Sequence, residues 1–346
     1  MATGVGFASP RMLQNLRFAD DLLLVARTLP QAQHMLEDLV QEAGLAGLEI
    51  HMGKTKILCN IEVRRGVSAA KRITIGTKEV EVLPFDDATM YLGRRLTLGP
   101  SFHDAEIENR IAKGWAKFYA NKNELCSKHY TLCDKLRLFE ATVTPSVLYG
   151  CTSWTLTLDR ARKLRAAQRR MLRKVWGCSR KRQGQEDKNN GATQGGVQDD
   201  SPSTQSSSSS CDSSTSECLT DGSNTDSNQP VGDGDQRETY IEWLSRTAHL
   251  IEGAIVTGRV KDWVDEQKRR KFRWAGHVAR RKDGRWTTSL LDWIPHLGRR
   301  AQGRPLTRWD DAIKKFVRQA GQKSWKDAAQ NRGWWEDMTE EFVKSS

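Results

Sequence analysis

Two adjacent carboxylates, Asp20 and Asp21, interrupt an otherwise apolar stretch: Met12 to Phe18 leans apolar on one side, and Leu22 to Ala26 is unbroken apolar on the other. Short apolar runs bounded by polar residues read as strands, and an ionised acid buried in either would go unsolvated. The arrangement that satisfies both demands is an antiparallel hairpin with the acids exposed at its tip. Such a tip suits a hard divalent cation, because Mg²⁺ takes one or two carboxylates and fills its shell with water and substrate phosphates. Paired ions of this kind activate an attacking oxygen and stabilise a leaving one, the chemistry of phosphoryl and nucleotidyl transfer. A solvated turn fits the dipeptide as well, since Asp-Asp recurs at Asp86-Asp87, Asp199-Asp200 and Asp310-Asp311. Only the first pair lies between two strand-like runs.

After the hairpin, Thr28-Leu29-Pro30-Gln31 has the pattern of a capping box, and Ala32, Leu36, Leu39, Val40 and Ala43 share one helical face ending at Gly44. Gly47 to Cys59 reads as a hairpin turning at Met52-Gly53. Lys54 and Lys56 then lie just beyond that turn. Arg72 to Leu83 reads as a further hairpin around Gly76-Thr77. From His103 the period becomes helical. Ile107, Ile111, Trp115 and Phe118 form one stripe, Leu132, Leu136, Phe139 and Val143 a second, and Leu164, Ala167, Met171, Leu172 and Val175 a third. Pro145 is expected to end or kink the second helix near Thr144.

The formal net charge of +12 points to a polyanionic partner, nucleic acid first and an acidic membrane surface second, with general solubility as the plain alternative. The third helix concentrates that charge in Arg160, Arg162, Lys163, Arg165, Arg169, Arg170, Arg173 and Lys174, with few acids beside them. Clustered cations of this kind release counterions from a phosphate backbone without reading sequence. Seven scattered cysteines, none in a Cys-x-x-Cys pair, imply reduced thiols inside the cell and no zinc box. No apolar run reaches the length of a membrane span.

Near Arg180 the composition breaks. Lys181 to Gln236 is dominated by Ser, Asp, Gly, Gln, Asn and Thr, with too little apolar surface to offset the entropy of ordering, so it reads as a disordered linker. Order is expected again from residue 237. This tail carries Trp243, Trp263, Trp274, Trp286, Trp293, Trp309, Trp325, Trp334 and Trp335 among the basic runs Lys268 to Lys271, Arg280 to Lys282 and Arg299-Arg300. Tryptophans so spaced build the core of a small helical domain or stack nucleic-acid bases. The basic runs also fit a nuclear import signal.

Phe18-Ala19-Asp20-Asp21 resembles the aromatic-x-Asp-Asp box in the palm of reverse transcriptases. The boxes that follow resemble the non-LTR (LINE-type) retrotransposon branch: Gly47 to Ile50 with Lys54-Thr55-Lys56, then Tyr91-Leu92-Gly93, then Asp104 to Ile107 with Arg110-Ile111. Ala141 to Val143 with Pro145, Leu148-Tyr149-Gly150 and Trp154-Thr155-Leu156 complete a set covering most of Leu16 to Gly177. Phe272 to Arg280 and Gly303 to Asp311 resemble the segment after the thumb in such proteins.

The resemblance implies an α+β chain with a partial palm over residues 1–100, a helical thumb over 101–180, the linker over 181–236 and a mainly helical tail over 237–346. It implies RNA-directed DNA synthesis on an RNA template and DNA primer, with dNTP as substrate and Mg²⁺ held by Asp20 and Asp21. Lys54 would stand near the incoming phosphates, although an exposed lysine-rich turn accounts for it equally. Tyr91, Leu92 and Gly93 would form the primer grip, and Arg162, Arg165, Arg169, Arg170 and Arg173 would hold backbones. Met1 to Arg17 are too few for fingers and a further palm acid, so the chain alone is expected to be inactive. The rival expectation is a non-catalytic nucleic-acid-binding protein derived from such an element.

Overall fold

In a computed structural model the described residues are 5–6, 12–59, 71–84, 87–98, 102–180, 238–284, 286–292 and 307–345. The linker expected over 181–236 lies outside them, as do Trp293, Asp86 and residues 303–306. The chain divides into a larger unit, residues 1–178 with 248–346, and a smaller one, residues 179–247.

The fold is α+β, with its strands first. Strands β1 (Val5–Gly6) and β2 (Met12–Leu13) pair antiparallel, and β3 (Asn15–Phe18) pairs antiparallel with β4 (Asp21–Leu24) in the register Phe18↔Asp21. Helix α1 (Leu29–Leu45) is capped by the Thr28 hydroxyl, which accepts from the Gln31 amide at 3.3 Å, while Gln31 accepts from the Arg27 amide at 2.9 Å. The reciprocal bond of a capping box is thus made one residue early. Strands β5 (Lys56–Leu58), β6 (Lys71–Ile75) and β7 (Lys78–Leu83) form a sheet in the order β5-β7-β6, and β8 (Thr89–Tyr91) pairs antiparallel with β9 (Arg94–Leu96). Leu36 of α1 packs against Ile73, Ile75, Val80 and Val82 of the three-stranded sheet.

One expectation about the strands is corrected. Gly47 to Cys59 is not a hairpin: residues 48–50 form no strand, and β5 pairs parallel with β7. The chain leaves α1 through Gly47 at φ 74°, Ile50 and Met52 turn inward to fill the core beneath the sheet, and the His51 carbonyl accepts from the Lys54 amide at 3.0 Å. The acid hairpin also stands apart from the three-stranded sheet, as a two-stranded ribbon of its own.

Helices α2 (Phe102–Ala120), α3 (Lys122–Leu125), α4 (Leu132–Val147) and α5 (Leu158–Val175) follow, with a 3-10 turn at Cys151–Ser153. The three apolar stripes meet in one core containing Ile107, Phe118, Leu136, Phe139, Val143, Leu164, Met171 and Leu172. Gly114 lets α2 and α4 cross closely, since a Cβ there would sit 2.3 Å from Val147 Cγ2. Pro145 does not stop α4 at Thr144; lying in the last turn, it removes one amide from the ladder and the helix runs on to Val147.

The tail contributes α6 (Tyr240–Val256), α7 (Trp263–Ala279), α8 (Trp286–Asp292), α9 (Asp311–Gln319), α10 (Trp325–Ala328) and α11 (Arg332–Lys344). The boundary expected between a thumb ending at 180 and a tail domain from 237 is crossed by packing: Ile251, Val260, Trp263 and Val264 belong to the core of α2, α4 and α5. The Trp263 ring stacks on Phe139 at 5.9 Å and its indole N–H donates to Thr144 Oγ1 at 3.0 Å. A second core joins Phe272, Ile313, Phe316, Trp325, Trp335 and Phe342, so these tryptophans are core residues. No helix among the described residues is long and apolar enough to cross a membrane.

Candidate functional site

Asp20 lies in the two-residue loop between β3 and β4, and Asp21 opens β4; both are exposed. Ala19, the other loop residue, has φ 50°, a left-handed conformation that costs an L-residue about 1–2 kcal/mol. Phe18 beside it is 65% exposed, and Leu16 and Leu22 are exposed as well. Either carboxylate at this tip could contribute to a Mg²⁺ shell, which takes one or two from protein. Together they do not amount to a complete two-metal set, because no group of three His, Cys, Asp or Glu that could hold a metal exists among the described residues.

Tyr91-Leu92-Gly93 forms the turn of the β8–β9 hairpin. The Tyr91 hydroxyl titrates above its usual range, through burial first and then the charge of Asp21. Leu92 at φ 48° and Gly93 at φ 72° form the two-residue loop between β8 and β9, meeting the positive-φ requirement of the tightest hairpin turns. Both loop carbonyls are held. Tyr149 Oη donates to the Leu92 carbonyl at 3.0 Å, and Arg110 Nη2 donates to the Gly93 carbonyl. The Arg110 guanidinium also lies 4.9 Å from the Tyr149 ring centroid.

Beneath the turn, Glu106 is fully buried. Its carboxylate accepts from the Arg95 amide at 2.7 Å, Arg110 Nε at 3.0 Å and Arg94 Nε at 3.4 Å. A buried carboxylate persists only when donors replace its water, and here four do, Asn109 Nδ2 at 3.4 Å being the fourth. Gly150, at φ 67°, makes room for Arg94, whose Cδ would stand 3.2 Å from an added Cβ. Boxes met separately in the sequence, Glu106 with Arg110 and Tyr149-Gly150, therefore converge on one turn. Sequence reasoning gave none of them a role, although the i,i+4 spacing of Glu106 and Arg110 was a usable signal.

The remaining sequence candidates scatter. Lys54 sits on the exposed turn after α1, near the three-stranded sheet, where its neighbour Lys56 pairs with Glu81. On α5, Arg165 is committed to Asp262 at 3.0 Å and Asp265 at 3.1 Å, and Arg169 to Glu252. Arg162 pairs with Asp159 at 3.1 Å in the open, Arg170 lies 5.8 Å from the Trp115 ring centroid, and Arg173 is half-buried. The scarcity of acids near α5 in sequence is thus made up by acids from the tail, and Arg165 and Arg169 are not free cations.

Unengaged charge lies elsewhere. An open groove of about 560 Å³ runs between α2 and α4, lined by Arg110, Lys113, Lys117 and Tyr149 over a floor that includes Ala116 and Pro145. No acid lines it. Lys113 and Lys117 are exposed on successive turns of α2, without an ion pair among the described residues. At one wall, Tyr149 joins the groove to the Leu92-Gly93 turn.

An uncharacterized transposon-derived protein of Caenorhabditis elegans is 28% identical over 311 residues, covering 89% of this chain and 86% of that protein. No family model matches the chain, and no solved structure matches it. The similarity supports a transposon-related origin.

Proposed function

We propose that this chain is part of a reverse transcriptase of a non-LTR retrotransposon, and that its own contribution is to grip a nucleic-acid strand beside a carboxylate tip. The observation that carries the reading is that a cationic groove, with no acid among its described lining residues, abuts the Leu92-Gly93 turn through Tyr149, while the Tyr91 hydroxyl next to that turn is raised by burial and then by the charge of Asp21. Lys113 and Lys117 neutralise phosphates, Arg110 steadies Tyr149, and the exposed part of the Tyr149 ring offers a base a surface to stack on. Asp20 and Asp21 would hold Mg²⁺, which when bound offsets phosphate charge and lowers the barrier to oxygen attack.

Binding of single-stranded RNA and DNA by the full chain over a range of salt concentrations tests the grip. Lys113→Glu with Lys117→Glu is expected to weaken binding and to flatten the plot of log K against log salt by about 1.4, the equivalent of two phosphate contacts on a single strand. Asp20→Ala with Asp21→Ala leaves that slope unchanged. A wild-type chain that binds neither polymer removes the reading.

A second reading, a binding protein without catalysis, is favoured by the incomplete carboxylate set. Primer extension on an RNA template with Mg²⁺ separates the two. We expect no extension by this chain alone. Extension that disappears in Asp20→Ala would establish the enzyme and overturn the view that the site is incomplete.

A further inference from the structure

We propose that the tail is a bracket for the Leu92-Gly93 turn, in which Gln267, Lys271 and Trp309 are positioning residues acting through the 3-10 turn. Three side chains from the tail donate to three carbonyls of one short connection. Gln267 Nε2 reaches the Cys151 carbonyl at 3.0 Å, Trp309 Nε1 the Thr152 carbonyl at 2.7 Å, and Lys271 Nζ the Trp154 carbonyl at 3.0 Å. Gln267 and Lys271 are buried, at 1% and 5% exposure, so these are not casual surface contacts. The Lys271 ammonium also lies 5.1 Å from the Trp309 ring centroid, which ties two of the three donors together.

The connection so held begins where the Leu92-Gly93 turn is held. Tyr149 and Gly150 immediately precede Cys151; one gives its hydroxyl to the Leu92 carbonyl, the other lies under Arg94. Fixing three carbonyls of residues 151–154 fixes the direction in which the backbone leaves α4, and with it where Tyr149 Oη stands. A loose connection would let Tyr149 swing, leaving the positive-φ Leu92 with one support fewer. The bracket does not rest on the polymerase reading, because its effect is readable without nucleic acid.

Amide hydrogen exchange of the full chain under native conditions tests it. The reporter is the Arg95 amide, which is bonded to buried Glu106 at 2.7 Å. Trp309→Phe removes one donor and keeps an aromatic ring, Gln267→Leu removes another, and Lys271→Met removes the third. Each is expected to speed exchange at Arg95 on the order of tenfold, the change that one hydrogen bond of ordinary net strength supports. Trp335→Phe is the control, because it deletes the bond from Trp335 Nε1 to the Phe272 carbonyl at 2.9 Å, within the second core. That variant should lower global stability and leave Arg95 exchange unchanged. If Lys271→Met does not fold, Trp309→Phe still decides. Unchanged exchange at Arg95 in Trp309→Phe and Gln267→Leu overturns the bracket, and so does an equal acceleration in Trp335→Phe.

Discussion

His103, at the start of α2, shows what burial among cations does to one side chain. Its imidazole is pushed down to about 4, first by burial and then by the fields of Arg160, Lys271 and Arg94. The folded value lies below the ordinary 6.5, so between those two pH values the unfolded chain binds the extra proton. This contribution to stability is therefore full above about pH 6.5 and is lost as pH falls through about 4. Urea midpoints of the wild type and of His103→Gln at pH 7, 5.5 and 4 should converge as the pH drops, because only the wild type loses this term. At this scale the sequence was legible where causes were local. The acid tip followed from two short apolar runs and a polar interruption. The fate of Arg165 and Arg169 did not, because their partners lie 97, 100 and 83 residues away and become neighbours only once the tail folds.

Among the elements, α7 and α11 meet where glycine permits it. Phe272 and Trp335 stack in parallel at 4.1 Å, and a Cβ on Gly276 would lie 2.4 Å from Trp335 Nε1. Alanine favours a helix over glycine by about 1 kcal/mol, but overpacking costs about 1–3 kcal/mol. Gly276→Ala should therefore destabilise, while Gly253→Ala in α6, where an added Cβ meets nothing within 4 Å, should stabilise by up to about 1 kcal/mol. Denaturant midpoints of the two variants check the opposite signs. Helices α1, α2, α4 and α5 were legible because their apolar period is written within each segment, and for α1 the capping pattern as well. The parallel pairing of β5 with β7 was not: three residues carry little pattern, and what recruits them is the core that Ile50 and Met52 enter from the preceding loop.

For the whole molecule, the decisive contact is Trp263 against Phe139 and Thr144. Trp263→Ala should cost about 3–5 kcal/mol in a thermal or urea transition, the usual penalty for emptying a large aromatic site. A chain ending at residue 180 should lose cooperative unfolding, since Ile251, Val260 and Val264 leave the same core. A break in composition at Lys181 reads as a domain boundary because it interrupts the record of apolar residues along the chain. The interior is indifferent to such an interruption when both flanks bury the same faces. Seen as an assembly, residues 102–178 and 248–346 are partners held by their own packing. A protease cut anywhere in the Ser-rich segment should then yield two polypeptides that co-purify, and separately expressed halves should find one another in solution.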